Sequence, residues 1–368
     1  MGNGAIAVYG ATGYTGTLVA HELHRRGLDA ILAGRDAGKL ARLADRLGGA
    51  LPTRAVELDD RDGLRHLFGD CAVVIDCAGP FVRYGEPIVR AAVETGTHYV
   101  DTTGEQPYIQ FLHERFEDAA RAAEVAVVPA MGFDYVPGDL IAHLAAQGVE
   151  PLDDLVIAYA TQGVQPTRGT TRTAIGQARD GGEVYVDGAW RRAPLRTPRA
   201  RFRFPEPTGS QPVMRYPSGE VAMVPRHVRT RTLTTLMTVE TLVGSAAAAP
   251  FVPLLVPAFT LALRTPLHGL VQAIVDRLPE GPPEQQRRAA RFTIVAVAHG
   301  EDGRVRSGVV RGEDVYGLTA VTAVEGAARM QADGYDRAGV LSAASAYDPV
   351  SFLDALAPAG VTYAVDPL

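Results

Sequence analysis

Lysine is nearly absent from this chain of 368 residues: Lys39 is the only one, and the other basic side chains are arginine or histidine. A catalytic Tyr-x-x-x-Lys pair, or a lysine Schiff base away from residue 39, is therefore excluded, because each needs a lysine amine. Cysteine is also scarce. Cys71 and Cys77 alone make neither a disulfide framework nor a zinc site, and no residue spacing indicates a metal.

The chain also lacks an excess of basic residues, and its first residues do not resemble a signal peptide. The net charge of −6 argues against general affinity for nucleic acid. The first residues lack the basic start and apolar core of a signal peptide, so we expect a cytoplasmic protein. The length predicts two domains, or one domain with a large insertion.

The most informative segment that is present covers residues 5–16, which read Ala-Ile-Ala-Val-Tyr-Gly-Ala-Thr-Gly-Tyr-Thr-Gly. The apolar start is typical of a buried parallel strand, and a helical pattern follows the glycines at once. Gly10 permits a tight turn, Gly13 lets backbone approach a phosphate, and Gly16 lets helix and strand pack closely. Strand, turn and helix N-terminus together predict a pyrophosphate cradle; the alternative is a bare glycine turn.

A second apolar strand, residues 30–33, ends in Gly34 and Arg35. Enzymes that use NAD usually place Asp or Glu there, against the ribose 2′-hydroxyl. Arginine instead binds a 2′-phosphate, and Lys39 follows one helical turn later. The pair predicts NADP(H) over NAD(H), the alternative being a solvated charge at a helix start.

The first part of the chain alternates strand and helix patterns, with apolar strands expected at 5–9, 30–33, 53–57, 72–76, 98–100 and 125–128. This alternation predicts an α/β fold with a doubly wound parallel sheet. Ligands bind such sheets at the carboxyl ends of the strands, so the loops there are where chemistry is sought.

From about residue 151 the pattern changes to longer, partly alternating strands, which predicts a second, α+β domain with a mostly antiparallel sheet. We expect a cofactor domain over 1–150 and a substrate or dimerisation domain over 151–315, with 316–368 packing back on the first. Residues 191–217 are rich in Arg and Pro and are expected to form, for the most part, a long exposed loop.

Residues 246–263 are nearly all apolar but contain Pro250, Pro253 and Pro257. The length just reaches that of a membrane span, yet three prolines make one continuous helix costly. The first interpretation is a buried or substrate-lining segment. The second is a surface patch that contacts a membrane or a partner such as a carrier protein.

Two strand-end loops could contact the cofactor. Residues 77–81, Cys-Ala-Gly-Pro-Phe, are expected to face the nicotinamide, with Phe81 covering the ring; the alternative is a strand end with a packed aromatic. Asp59 could meet the adenine, but a helix cap by Asp59 or Asp60 is about equally favoured.

Candidate proton donors lie in later loops. Tyr135 comes first, with the packing of a tyrosine at an interface as its alternative; Asp101 and Arg168 come next. Asp101 and Glu105 could orient substrate, or serve as loop caps. Arg168 could anchor an anionic or carbonyl oxygen, or be a solvated charge beside a helix cap at Gly169 or Thr170.

These motifs together resemble the saccharopine dehydrogenase-like oxidoreductases, and within them most resemble the trans-acting enoyl reductases of polyketide and lipid assembly. The resemblance rests on residues 10–16, 33–35, 76–81, 98–105 and 132–139, and on a later segment at 316–320. It implies an N-terminal Rossmann domain, a C-terminal α+β domain, NADP(H) and often a homodimer. The cofactor-binding residues we expect are Gly10, Ala11, Thr12, Gly13, Tyr14, Thr15, Gly16, Gly34, Arg35, Lys39, Asp59, Cys77, Ala78, Gly79, Pro80 and Phe81.

The sequence therefore favours an NADPH-dependent reductase that reduces a C=C bond in an apolar, acyl-type substrate, carrier-bound or lipid-like. One alternative is C=N chemistry on an amino acid, as in saccharopine dehydrogenases. Another is a protein that senses NADP(H) without catalysis.

Overall fold

The computed structural model describes residues 4–133, 135–194, 200–244, 246–265 and 267–367. Its strands are β1 Ala5–Tyr9, β2 Ala30–Gly34, β3 Thr53–Ala55, β4 Cys71–Asp76, β5 His98–Asp101, β6 Ala126–Val128, β7 Leu152–Gln162, β8 Glu183–Val186, β9 Ala189–Arg192, β10 Ala200–Arg203, β11 Ser210–Arg215, β12 Thr230–Thr238, β13 Arg291–Gly300, β14 Val305–Glu313, β15 Gly339–Val340 and β16 Thr362–Val365.

The helices connect these strands. They are α1 Tyr14–Arg26, α2 Ala37–Arg46, α3 Arg61–Gly69, α4 Phe81–Thr95, α5 Gln106–Ala122, α6 Val136–Ala146, α7 Arg168–Asp180, α8 Glu220–Met223, α9 Val239–Val243, α10 Val252–Leu263, α11 Leu267–Val275, α12 Glu284–Ala289, α13 Val315–Gln331, α14 Ala343–Ala346 and α15 Pro349–Ala355. Short 3₁₀ turns lie at Val224–Arg226, Ala246–Phe251 and Ala357–Ala359.

Chain contacts divide the molecule into two units. Unit 1 comprises 1–136 and 316–348, and unit 2 comprises 137–315 and 349–368. The chain thus passes from unit 1 to unit 2 after residue 136, earlier than the expected boundary at residue 150. Helix α6 packs within unit 2, since a Cβ on Gly308 of β14 would collide with Ile141 of that helix. The segment after 316 does not stay together: β15 joins the sheet of unit 1, whereas β16 pairs with β14 in unit 2.

Unit 1 holds a parallel sheet in the order β15-β6-β5-β4-β1-β2-β3. The central strand β1 lies between β2 and β4, and Ile6, Ala7 and Val8 on it are fully buried. The chain leaves β1 toward β2 on one side and returns to β4 on the other. The carboxyl ends of β1 and β4 therefore border the crevice where doubly wound folds bind ligands. The predicted fold class is confirmed.

Unit 2 holds a mixed sheet in the order β10-β11-β12-β7-β13-β14-β16, and the β8–β9 hairpin joins it through β12. The β7–β12 pair is parallel, and the other pairings on this path are antiparallel. The expectation of a mostly antiparallel second sheet is therefore confirmed.

The expectation of a long loop over 191–217 is wrong. Residues 200–203 and 210–215 pair as an antiparallel hairpin, while 195–199 lie outside the described residues. Phe204 and Val213, each 2% exposed, pack with Ala158 and Val295 in the core of unit 2. These apolar anchors outweigh the exposed Arg201 and Arg203 on β10, since burying large side chains is what stabilises a hairpin against a sheet.

Residues 246–263 form a 3₁₀ turn followed by α10, with Pro253 in the first helical turn, where proline is tolerated. The segment is not buried as a whole: Leu254 is 72% exposed and Phe259 is 49% exposed. The expectation that this segment is buried is therefore wrong, whereas a substrate-lining role and a contact with a membrane or a partner stay predictions. Among the described residues, no helix is both long and apolar enough to cross a membrane.

Candidate functional site

The glycine loop lies at the carboxyl end of β1. Gly10 has φ +76°, and a Cβ on it would lie 3.0 Å from the backbone nitrogen of Ala78, in the loop after β4. A Cβ on Gly16 would collide with the Gly10 carbonyl oxygen and lie 2.8 Å from the Ala11 Cα. Both positions therefore require glycine, one for its conformation and one for close helix–strand packing.

The first turn of α1 presents its backbone donors without side-chain competition. Gly13 is the N-cap residue, no side chain caps the helix, and no acidic residue lies in the first turn. A Cβ on Gly13 would approach only the Gly10 carbonyl oxygen, at 3.4 Å. The backbone N–H groups of the first turn, the positive end of the helix dipole and the space beside Gly13 fit a diphosphate.

Arg35 and Lys39 lie at the start of α2, directly after β2, and both are exposed. The neighbouring carboxylate belongs to Asp36, which accepts a hydrogen bond from the Lys39 backbone at 2.9 Å and so caps α2. That bond holds the pKa of Asp36 below its usual value. Gly34 brings this corner to the glycine loop, since a Cβ on it would lie 4.0 Å from the Gly10 nitrogen.

Asp59 is exposed after β3 and does not cap the next helix. Asp60 does, accepting a hydrogen bond from Gly63 N at 2.9 Å. Nearby, the Tyr9 hydroxyl donates to the Val56 carbonyl at 2.9 Å, and burial raises the pKa of Tyr9 to about 12. The Asp59 carboxylate is thus exposed in the loop after β3. Its contact with the adenine stays a prediction.

The loop after β4 is fixed by its own backbone. Asp76 accepts from Ala78 N at 2.8 Å, Cys77 N donates to the Tyr9 carbonyl at 2.9 Å, and the Gly79–Pro80 peptide is cis. Burial raises the pKa of the Cys77 thiol, so this cysteine is not a thiolate at neutral pH.

Phe81 is 6% exposed and packs against Tyr108, with ring centroids 5.8 Å apart. The packed-aromatic alternative describes it, and the expectation that it covers the nicotinamide is not supported by its burial. Glu105 is also not free to orient a substrate, because its two carboxylate oxygens accept from Phe81 N and Val82 N, each at 2.9 Å. It caps the N-terminus of α4 from across the sheet edge.

Asp101 ends β5 and is fully buried. Its Oδ1 accepts hydrogen bonds from Thr103 N and Ala130 N, each at 2.9 Å. Its Oδ2 is buried and makes no hydrogen bond to any residue the structure describes. Burial raises the pKa of Asp101 to about 7, so close to half of these carboxyls carry a proton at neutral pH.

Asp76 lies beside Asp101 in the β4–β5 register and extends this buried network. The Tyr99 hydroxyl donates to Asp76 Oδ2 at 3.3 Å and lies 3.1 Å from the Tyr108 hydroxyl. Burial raises the pKa of Asp76 well above its ordinary value. The sequence placed Asp101 and Tyr99 at a strand end, but it did not indicate that Asp76 and Tyr108 would join them.

Tyr135 is 1% exposed, and its hydroxyl donates to the Gly104 carbonyl at 2.9 Å. This hydrogen bond links two loops of unit 1. It also engages the hydroxyl proton that Tyr135 would have to transfer as a general acid. The neighbouring residue 134 lies outside the described residues.

Helix α13 contributes residues that the sequence did not assign to the site. The Tyr316 ring meets Tyr14 edge-on, with centroids 5.6 Å apart, and Thr319 Oγ1 accepts from Phe133 N at 3.1 Å. The similarity of residues 316–320 to the family was a signal for this helix, but the contact partner was not readable from the pattern.

Arg168 belongs to unit 2, where Thr167, rather than Gly169 or Thr170, caps α7. Its guanidinium lies 3.4 Å from the Glu280 carboxylate and donates to the Asp276 carbonyl at 3.3 Å. The side chain is thus paired at a helix start, which favours the alternative to an oxyanion anchor.

Unit 2 also buries a carboxyl that the sequence did not single out. Glu220 is fully buried, hydrogen-bonds to the Tyr159 hydroxyl through Oε1, and has its pKa raised by burial to about 8. Nearby in the fold, Asp139 Oδ1 lies 2.6 Å from His227 Nε2. Asp139 lies in the first turn of α6 and also contacts this histidine.

The sequence profile of the saccharopine dehydrogenase NADP binding domain matches residues 6–128, which carry the glycine loop, Arg35 and both buried aspartates. Residues 6–128 are thus similar to a saccharopine dehydrogenase NADP binding domain. This match indicates NADP(H) as the cofactor, in agreement with the prediction from Arg35 and Lys39.

Individual relatives match a segment of similar length. A "Saccharopine dehydrogenase-like oxidoreductase" of Bos taurus is 30% identical over 152 residues, which cover 37% of this chain and 35% of the relative. A "Putative trans-acting enoyl reductase" of Mycobacterium tuberculosis is 36% identical over 140 residues, covering 37% and 33%. A "Trans-acting enoyl reductase" of Mycobacterium ulcerans is 33% identical over 143 residues, covering 38% and 34%. Each alignment thus spans about a third of the relative.

The fold likeness extends further. A solved saccharopine dehydrogenase (L-Glu forming) of Saccharomyces cerevisiae superimposes with a TM-score of 0.63 over 99% of this chain and 100% of that chain. The identity is 14%, so this similarity concerns the fold alone.

Proposed function

We propose that this chain is an NADPH-dependent oxidoreductase that reduces the C=C bond of an apolar acyl substrate. The observation that carries the proposal is the position of the buried Asp101 carboxyl. It lies at the same carboxyl edge of the sheet as the glycine loop, within an NADP binding domain. The two relatives whose names contain "trans-acting enoyl reductase" favour C=C reduction over other hydride transfers.

Bound NADPH supplies the hydride. In the proposal, the N–H groups at the start of α1 bind the diphosphate, and Gly13 lets the phosphates approach the backbone. Arg35 and Lys39 bind the 2′-phosphate, since both are exposed at the adjacent strand end. The backbone of residues 77–80 forms the wall on the nicotinamide side.

After hydride reaches the electrophilic carbon, a proton must reach the neighbouring atom or the enolate oxygen. We assign this proton to Asp101 rather than Tyr135. Asp101 has a pKa of about 7 and an oxygen, Oδ2, with no bond to the described residues, whereas Tyr135 donates to Gly104. Arg168 is paired with Glu280 in unit 2 and is the weakest of the three candidates.

The experiment is an NADPH oxidation assay on the full chain with two substrate sets: enoyl thioesters of increasing chain length, and imines formed from an oxo acid and an amine. The proposal predicts turnover with the thioesters, rising with chain length. Turnover with the imines alone would favour amino-acid chemistry. Bound NADPH with no turnover in either set would favour a cofactor sensor.

The proton assignment is tested with Asp101→Asn and the matched control Asp118→Asn, an exposed aspartate on α5. We expect Asp101→Asn to lower kcat by about a hundredfold, as is typical for loss of a general acid, with NADPH affinity retained. The control should keep the wild-type kcat. A wild-type kcat in Asp101→Asn, with Tyr135→Phe inactive, would return the role to Tyr135.

A further inference from the structure

Helix α10 presents an apolar face outward. Leu254 is 72% exposed, Leu255 51%, Phe259 49% and Leu261 54%, and Phe251, just before the helix, is 60% exposed. These five residues, called the α10 patch below, fall on one side of the helix by its 3.6-residue period. Large exposed apolar side chains in such a cluster are typical of an interaction surface.

The opposite side of α10 is anchored in unit 2. Val252 is 4% exposed and packs with Met214 and Val239, and Leu263 is 1% exposed and packs with Ile175. The helix is thus held by buried contacts at both ends. Substitutions in the α10 patch therefore leave these anchors intact.

Arginines lie at both ends of α10. Arg192 on β9 and Arg264, just after α10, line one cleft together with Leu263 and the ion pair of Arg179 with Asp180. Arg201 on β10 lines another cleft with Pro250 and Val252, at the start of the helix. The helix is therefore flanked at both ends by guanidinium groups that come from distant parts of the sequence.

These arginines carry unbalanced charge. The sequence from 189 to 203 contains six arginines and no acidic residue, although the whole chain has a net charge of −6. Within the described residues, Arg192, Arg201 and Arg264 are exposed and form no ion pair; they bond to backbone carbonyls or to Ser210. Their charge is available to an anion outside the chain.

We propose that the α10 patch and its flanking arginines dock this protein on the surface of an anionic lipid bilayer. An apolar helix face lies at the boundary of headgroups and acyl chains, and arginines beside it bind anionic headgroups. A second copy of this chain fits less well, because a two-fold interface on this patch would oppose arginines to arginines. This proposal is independent of the reaction.

The test is flotation of the full chain with vesicles of phosphatidylcholine alone, or of phosphatidylcholine with a quarter phosphatidylglycerol. We expect binding to the anionic vesicles that weakens at high salt, since a Debye length shortens with ionic strength. The double variant Leu254→Ser/Leu255→Ser should lose at least tenfold in partitioning. Arg192→Gln/Arg201→Gln should lose about thirtyfold, from about 1 kcal/mol per arginine.

Matched controls make the same kinds of substitution, of exposed apolar residues and of exposed arginines, elsewhere in unit 2. Val305→Ser/Val350→Ser removes two apolar side chains that are 59% and 45% exposed, outside the patch. Arg229→Gln/Arg304→Gln removes two exposed arginines at the opposite end of the sheet, beside the first residues of β7 and β12. Both controls should float as wild type does. Emission from Trp190, the single tryptophan, and the thermal midpoint check that every variant is folded.

Three results would overturn the proposal: no flotation of the wild type, equal flotation of the controls and patch variants, or no preference for anionic vesicles. A fourth is a wild-type dimer in light scattering that Leu254→Ser/Leu255→Ser converts to monomer without vesicles. That result would assign the patch to a contact between copies of this chain.

Discussion

Gly13 and Gly16 occupy one loop but face different surroundings. A Cβ on Gly16 would collide with the Gly10 carbonyl oxygen, whereas a Cβ on Gly13 would lie 3.4 Å from the same atom, near ordinary contact. Packing therefore requires glycine at position 16 but not at position 13, where we propose that glycine serves the approach of the phosphates.

We expect Gly16→Ala to lower the free energy of unfolding by at least about 2 kcal/mol, since the helix must move away from β1. Gly13→Ala should change stability by less than about 1 kcal/mol and weaken NADPH binding at least tenfold. Urea denaturation and cofactor titration measure the two quantities. Equal losses of stability in both variants would contradict this division of roles.

Asp101 makes stability depend on pH. Burial raises its pKa to about 7, so the folded state holds the proton more tightly than the unfolded chain does. Its contribution is fully present below about pH 4 and is lost as the pH rises through about 7, an effect of about 4 kcal/mol at most.

Asp101→Asn should therefore flatten the fall in unfolding free energy between about pH 4 and 7, measured by urea denaturation at a series of pH values. Asp118→Asn, on the surface, should leave the wild-type slope. Glu220 and Asp76 have raised pKa values as well, so a residual slope of the same sign is expected. An unchanged slope in Asp101→Asn would show that this carboxyl titrates normally.

Residue types were more predictable than their partners. The positions of Arg35 and Asp101 followed from the strand ends, because a parallel sheet places those ends at one edge. The burial of Phe81 against Tyr108, and the cap that Glu105 forms on α4, depend on contacts between separate elements. Such contacts cannot be predicted from the local sequence.

At the scale of elements, the N-terminus of α4 is held by a carboxylate from another strand end. Glu105 accepts from Phe81 N and Val82 N, so it satisfies two of the donors that a helix start leaves open. The negative charge also favours the positive end of the helix dipole.

Glu105→Gln should lower the free energy of unfolding by about 2 kcal/mol, because one acceptor oxygen and the charge are lost at a buried site. Glu86→Gln, an exposed change on the same helix, is the control and should cost less than about 0.5 kcal/mol. Thermal and urea denaturation measure both. A cost at Glu105 no larger than at Glu86 would mean that the cap adds nothing to stability.

Elements with a strong period were predicted closely, and those without one were not. The apolar run at β1 agrees with the structure in both bounds. The β10–β11 hairpin was missed because arginine and proline dominate its composition, while Phe204 and Val213 do the anchoring. The exposure of α10 could not be predicted, since an apolar run does not indicate whether another element covers it.

At the scale of the whole molecule, the two units are discontinuous in sequence. Residues 316–348 return to unit 1, and 349–368 return to unit 2. The sequence predicted that residues 316–368 would pack on the first domain, but it did not predict that they divide between the two units. Strand β15 pairs through only Gly339 and Val340, so it is too short to show the two-residue period of a strand. Unit 1 is thus built from distant parts of the sequence, which meet where the rings of Tyr14 and Tyr316 contact each other.

The central claim is that the start of α1 binds a diphosphate while Arg35 recognises the 2′-phosphate. Calorimetric titration of NADPH and NADH into wild type, Arg35→Ala and the control Arg42→Ala, an arginine on the helix that follows Arg35, tests it most directly. We predict that wild type and control prefer NADPH, and that Arg35→Ala weakens NADPH binding about tenfold to a hundredfold while NADH binding changes little. Equal affinity of the wild type for both cofactors, or binding of neither, would contradict the account.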